Sequence, residues 1–239
     1  MTRPSFGAAL LLPLTLVSAT ASAEVPLPDY RDILVQRTWH EVDSLIEAAC
    51  TGPPGAQTCN DEPLDEAIQT ATRFQEVVTP DARLEYLLGL AYLSKGNPAG
   101  GQRHLEAAVR LDPDRPDAWH DLGEVYLQND QMADAGEAFA HVTRLVDSGS
   151  KAWLGPWREA EVAAHLGDPE AFEAHMKIAL ERGFTFRTIR GLPNWRRFYA
   201  DPRMQSSIRK MVTVYGTPDV LESLESAPRV EVRKNGLSP

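Results

Sequence analysis

Two cysteines and six histidines, set among thirty-four carboxylates, are the residues here that could carry chemistry. Cys50 and Cys59 bracket TGPPGAQT, a Pro/Gly turn. In an oxidising compartment, two cysteines around a tight loop pair as a disulfide. Loop entropy makes such a bridge worth about 2.5–3 kcal/mol for about ten enclosed residues. In a reducing compartment they would stand as two free thiols, and a redox-responsive role through the pair is the rival reading. The spacing is not the C-x-x-C of a catalytic thiol pair. His120 and Glu124, four residues apart, make half of a metal site on a helix, but no further ligand is placed beside them. HEVD at 40–43 is not H-E-x-x-H, and His104, His141, His165 and His175 are scattered. No G-x-S-x-G, P-loop or dinucleotide fingerprint occurs, and the carboxylates spread along solvent faces. No catalytic, cofactor-binding or metal-ligating residue is therefore assigned, and the expectation is a chain that is not an enzyme.

If chemistry is not the product, surface is, and the elements that shape it come next. The chain has 239 residues and a formal charge of −10. An acidic surface argues against nucleic acid as a partner, which needs a Lys/Arg patch. Arg187, Arg190, Arg196, Arg197, Arg203, Arg209 and Lys210 make the last third locally basic, and they read as solvated faces beside a small core. At the start, Arg3 precedes the apolar run GAALLLPLTLV and an Ala21-Ser22-Ala23 cleavage pattern. The run is too short to span a bilayer, so residues 1–23 read as a secretory signal peptide, the alternative being an uncleaved anchor. Export, to a periplasm or beyond the cell, is the expected localisation, with no membrane span after cleavage.

Residues 82–115 align without a gap on residues 116–149, thirty-four against thirty-four. Leu88-Gly89 falls on Leu122-Gly123, Tyr92 on Tyr126, and Leu105 on Phe139. Trp119, Leu122, Gly123 and Tyr126 recur at helical steps and share one face. Each unit predicts two helices, with turns at Gly96 and Asp130, Pro98 in a favoured first turn, and Pro113 and Pro116 as stops. A bare Gly on a bulky face predicts that another element presses closely against Gly123.

At these residues the chain resembles the tetratricopeptide repeat family, whose W-x2-L-G-x2-Y pattern is matched by Trp119, Leu122, Gly123 and Tyr126, followed by Ala135 and Phe139. The first unit departs from the pattern, with Glu85 and Gly101 where Trp and Ala are usual. The resemblance implies an all-α fold, an α-solenoid of stacked antiparallel helix hairpins in a right-handed superhelix. Around the two units in 82–149, residues 24–81 read as an N-terminal helix pair joined by the Cys50–Cys59 loop. Its first helix, over 30–50, turns Ile33, Val42, Leu45, Ile46 and Ala49 inward. Residues 150–183 read as a degenerate unit in poor register, with Pro156-Trp157 near the lost Leu-Gly pair. Residues 184–226 resemble a terminal capping module seen after bacterial arrays, carried by Gly183-Phe184, Trp195, Phe198 and Asp201-Pro202-Arg203. Residues 227–239 read as a flexible tail.

In the family, a stripe beside the packing face lines a concave groove that binds peptides. The matching positions here are Arg83, Tyr86, Leu90, Leu93 and Ser94, then Asp117, His120, Glu124, Leu127 and Gln128, with Arg158 and Glu161 as an extension. The Lys/Asn clamp that some members use for a C-terminal carboxylate is absent, since Tyr86, Leu90, His120 and Glu124 stand there. The stripe suits a partly apolar segment with some positive charge. The competing expectation is that Tyr86, Leu90 and Leu93 are buried by the neighbouring hairpin. The implied function is a protein- or peptide-binding scaffold or adaptor of the cell envelope; a structural subunit of an envelope assembly is the other reading. The oligomeric state is not legible.

Overall fold

The computed structural model describes residues 30–52, 58–78 and 80–226. The segments read as a signal peptide (1–23) and a tail (227–239), and the tip of the Cys50–Cys59 loop, fall outside the described residues. The chain runs α1 (Tyr30–Ala49), β1 (Cys50–Thr51), β2 (Thr58–Cys59), α2 (Asp61–Val77), α3 (Ala82–Ser94) and α4 (Pro98–Leu111). It continues through α5 (Pro116–Gln128), α6 (Met132–Leu145), α7 (Leu154–Leu166) and α8 (Pro169–Glu181) to a 3-10 turn, Phe186–Ile189. The terminal helices are α9 (Pro193–Ala200), α10 (Gln205–Tyr215) and α11 (Pro218–Glu225). The helices pair as hairpins, α1 with α2, α3 with α4, α5 with α6 and α7 with α8, and each hairpin packs on the next through α2–α3, α4–α5 and α6–α7. This is an all-α solenoid.

Local chemistry sets the helix starts. Asn97 accepts from the Gly100 amide with Pro98 in the first turn, and Asp168 accepts from the Glu170 and Ala171 amides ahead of Pro169. Each side chain satisfies an amide that the first turn leaves unpaired. Between α1 and α2 the chain forms an antiparallel ladder, Cys50 opposite Cys59 and Thr51 opposite Thr58, and the two cysteines are disulfide-bonded.

The hairpins close where the sequence places its glycines. A β-carbon at 123 would fall 2.6 Å from Cε1 of Phe139, and one at 89 would fall 2.8 Å from Cγ of Leu105. No real β-carbon sits that close, so the facing side chain occupies the notch that glycine leaves. Phe139, Leu105 and Ala135 are fully buried as a result.

Two expectations are corrected. Ile33 is 48% exposed, whereas Val35, Thr38 and Val42 are buried with Ala49. The inner row of α1 therefore steps through 35, 38, 42 and 49, and Ile33 lies two residues, roughly 200°, round the helix from Val35. The unit at 150–183 is not out of register along α7. Trp153 and Arg158 stand thirty-four residues after Trp119 and Glu124, and Arg158 reaches Glu124 directly.

Beyond α8, the terminal helices share one apolar core with α7 and α8, centred on Phe172, Met176, Phe186, Ile189 and Trp195. Asp201 binds the Arg203 guanidinium, and that guanidinium also donates to the Leu166 carbonyl at the end of α7. A cation there complements both the unpaired carbonyls and the helix dipole. The Arg203 partnership holds the Asp201 carboxyl below its ordinary range.

Candidate functional site

The stripe expected to bind a partner lies mostly on α3 and α5, and the structure sorts its members. Leu90, Leu93, Glu124 and Gln128 line one recess of about 350 Å³, together with Gly96, Pro98, Asp121 and Val125. Leu90 and Leu93 come from α3, Gly96 and Pro98 from the turn into α4, and the other four from α5. The recess thus forms where successive hairpins leave a gap between their first helices.

Tyr86 joins those two helices. Its hydroxyl donates to Oδ2 of Asp121 at 2.9 Å, and the Arg115 guanidinium lies over its ring, 5.0 Å from the centroid. Burial above all, and then the Asp121 charge, pushes this hydroxyl well above the usual tyrosine range, so it stays a donor. Tyr86 and Leu90 are half-buried, between the packing around Val42 and Leu87 and the recess. Neither of the two expectations for these residues fits completely: each is part core and part surface.

Beside the recess, His120 Nδ1 lies 3.2 Å from Asp121 Oδ1, and His120 Nε2 lies 3.7 Å from Glu124 Oε1. Glu124 is bound by Arg158, which also binds Glu161. Glu161 is only 4% exposed, and its other oxygen accepts from the Trp195 indole at 2.7 Å. The polar network therefore runs from α5 through α7 to α9. Among the described residues, no three His, Cys, Asp or Glu side chains gather as a metal site.

Other members of the stripe are engaged elsewhere. Arg83 is held by Asp81 at the start of α3, and Asp117 by Arg115. Leu127 packs on its own hairpin beside Ala135 and Phe139, and Leu93, besides lining the recess, presses on Gly101. Ser94 is half-buried and Gln128 exposed. The packing residues also show polar ends. Trp119 donates to the Pro113 carbonyl at 2.8 Å and stacks on His141 with ring centres 3.9 Å apart. Tyr126 donates to Glu106, and Tyr92 covers Gly100 and stacks on His104. His104 in turn meets the buried Glu85 at 2.7 Å, so the residue standing in for the usual Trp is a carboxylate with a local partner.

Asp121 is the residue that sequence reasoning missed. It sits one position beyond the stripe, and the available signal was Tyr86, a groove tyrosine whose hydroxyl needs a partner on the next unit.

Residues 86–150 match the family described as tetratricopeptide repeat. These residues are tetratricopeptide repeats. Among solved structures, a crystal structure of MamA protein superposes with a TM-score of 0.56 at 15% identity, covering 85% of this chain and 97% of that one. A crystal structure of YrrB, described as a TPR protein with an unusual peptide-binding site, superposes with a TM-score of 0.52 at 17% identity, covering 68% of this chain and 82% of that one. At such identities the likeness is one of fold. No curated protein matches the sequence. The tetratricopeptide repeats place this chain among protein-interaction scaffolds, and no helix among the described residues is long and apolar enough to cross a membrane.

Proposed function

We propose that the chain is a non-enzymatic scaffold of the cell envelope that holds an extended protein segment against α3 and α5. The observation that carries this reading is the recess itself, which gathers Leu90 and Leu93 with Glu124 and Gln128 from two successive repeats. A gap shared by two first helices offers apolar surface and polar anchors side by side, the combination that binding pockets use. The peptide-binding site described for YrrB, a relative in fold, supports the same kind of role. Export is supported by the apolar run and the Ala21-Ser22-Ala23 pattern, and by a disulfide that persists in an oxidising compartment.

Two measurements test the proposal. Affinity purification under native conditions should recover a partner with the wild-type chain and lose it with Leu90→Ala plus Gln128→Ala, whose circular dichroism should be unchanged. Equal recovery by both proteins would remove the groove from the function. N-terminal sequencing of the protein from envelope fractions should begin at Glu24. A chain that keeps Met1 and stays in the cytoplasm would remove the envelope.

A further inference from the structure

We infer that the recess between α3 and α5 takes a single lysine or arginine side chain from an extended segment of a partner protein. The stem would lie on Leu90, Leu93 and Val125, and the cationic head would lie between Asp121 and Glu124. This rests on the groove reading above and specifies its ligand.

The lining divides by element: α3 and the turn after it supply Leu90, Leu93, Gly96 and Pro98, while α5 supplies Asp121, Glu124 and Gln128 with Val125 between them. A ligand that fits must be apolar along one side and polar at its end. Long basic side chains have that construction, with an aliphatic stem that buries and a charged head that does not.

Charge then selects the sign. One oxygen of Asp121 is met by the neutral Tyr86 hydroxyl, and the other faces His120 Nδ1 at 3.2 Å. One neighbouring guanidinium, Arg158, is divided between Glu124 and Glu161. Arg115, the other neighbouring guanidinium, is engaged by Asp117 and by the face of Tyr86. Glu124 and Glu161 therefore share one guanidinium, while Asp121 faces a hydroxyl and an imidazole. The surroundings reinforce the imbalance, since residues 30–183 hold twenty-seven Asp and Glu against thirteen Lys and Arg. An acidic or C-terminal carboxylate ligand would meet like charge. A wholly apolar one would cover Asp121 without replacing the water it loses.

The probe is a displayed library of random twelve-residue peptides, selected on the immobilised full-length chain and counter-screened on Asp121→Asn. The amide oxygen of Asn can still accept the Tyr86 hydrogen, so this variant should keep the wild-type melting temperature. Enriched peptides should share one Lys or Arg flanked by aliphatic residues. By fluorescence polarisation they should bind Asp121→Asn at least tenfold more weakly, and bind the wild type more weakly as salt rises. Peptides enriched without a basic residue, lost with Leu90→Ala but indifferent to Asp121→Asn, would overturn this inference and leave the groove reading standing. No enrichment at all would overturn both. Enrichment that appears only when the chain is truncated after Ser226 would make Arg229, Arg233 or Lys234 of the chain itself the occupant, and would equally overturn it.

Discussion

Gly123 shows how much one missing side chain can organise. Its notch receives the Phe139 ring, and a β-carbon there would approach that ring to 2.6 Å. Gly123→Ala would gain about 1 kcal/mol of helix propensity against an overpacking penalty of about 1–3 kcal/mol. Net destabilisation is expected, read as a lower denaturation midpoint. Gly123→Leu should abolish cooperative unfolding. The tyrosines make a second test at this scale. Burial, with the charge of Glu106 and the bond to it, pushes the Tyr126 hydroxyl up to about 12. A raised value means that the folded state holds its proton after the unfolded chain, near pH 10, has begun to lose it. The contribution of Tyr126 is therefore complete below about pH 10 and is lost as pH climbs towards the folded value, about 12. Stability should decline over that window, and Tyr126→Phe should make the decline shallower. An unchanged slope would place the tyrosine in contact with solvent.

Between elements, the connections that matter are polar as well as apolar. Arg158 joins α5 to α7, and the Glu161–Trp195 bond joins α7 to α9. Glu161 is almost fully buried, so Arg158→Met would strand its charge, at a cost of about 3–5 kcal/mol. Trp195→Phe keeps most of the ring packing and removes one bond, costing about 1–3 kcal/mol. Urea titrations of the two variants should rank in that order, and equal midpoints would show that the network contributes little. The disulfide acts on a different hairpin. Reducing Cys50–Cys59 should cost about 2.5–3 kcal/mol and leave peptide binding at α3 and α5 unchanged. A loss of binding on reduction would instead favour the redox-responsive reading.

At the scale of the molecule, the sequence revealed most where the repeat is strict. Leu88-Gly89 and Leu122-Gly123 located two notches and the hairpins around them, because close approach leaves a glycine that nothing else explains. It revealed less where two faces compete. Ile33 looked like core on an amphipathic helix, yet the rows formed by Val35, Val42 and Ala49 took the inner face. Pro156-Trp157 hid a register that Arg158 keeps, because the usual Leu-Gly marker had been replaced while the spacing had not. Within the stripe, Arg83 and Asp117 could not be separated from Glu124 by position alone; their nearest partners, Asp81 and Arg115, decide their roles. Asp121 became visible only once Tyr86 had a neighbour across the repeat boundary.

The central claim is that the face shared by α3 and α5 is where another protein sits. Photocrosslinking in living cells, from a benzoylphenylalanine at position 90 or 128 and from a control at position 177 on α8, addresses it most directly. The expected result is one discrete adduct from 90 and 128, identified by mass spectrometry, and none from 177. Adducts from 177 with none from 90 or 128 would contradict the claim.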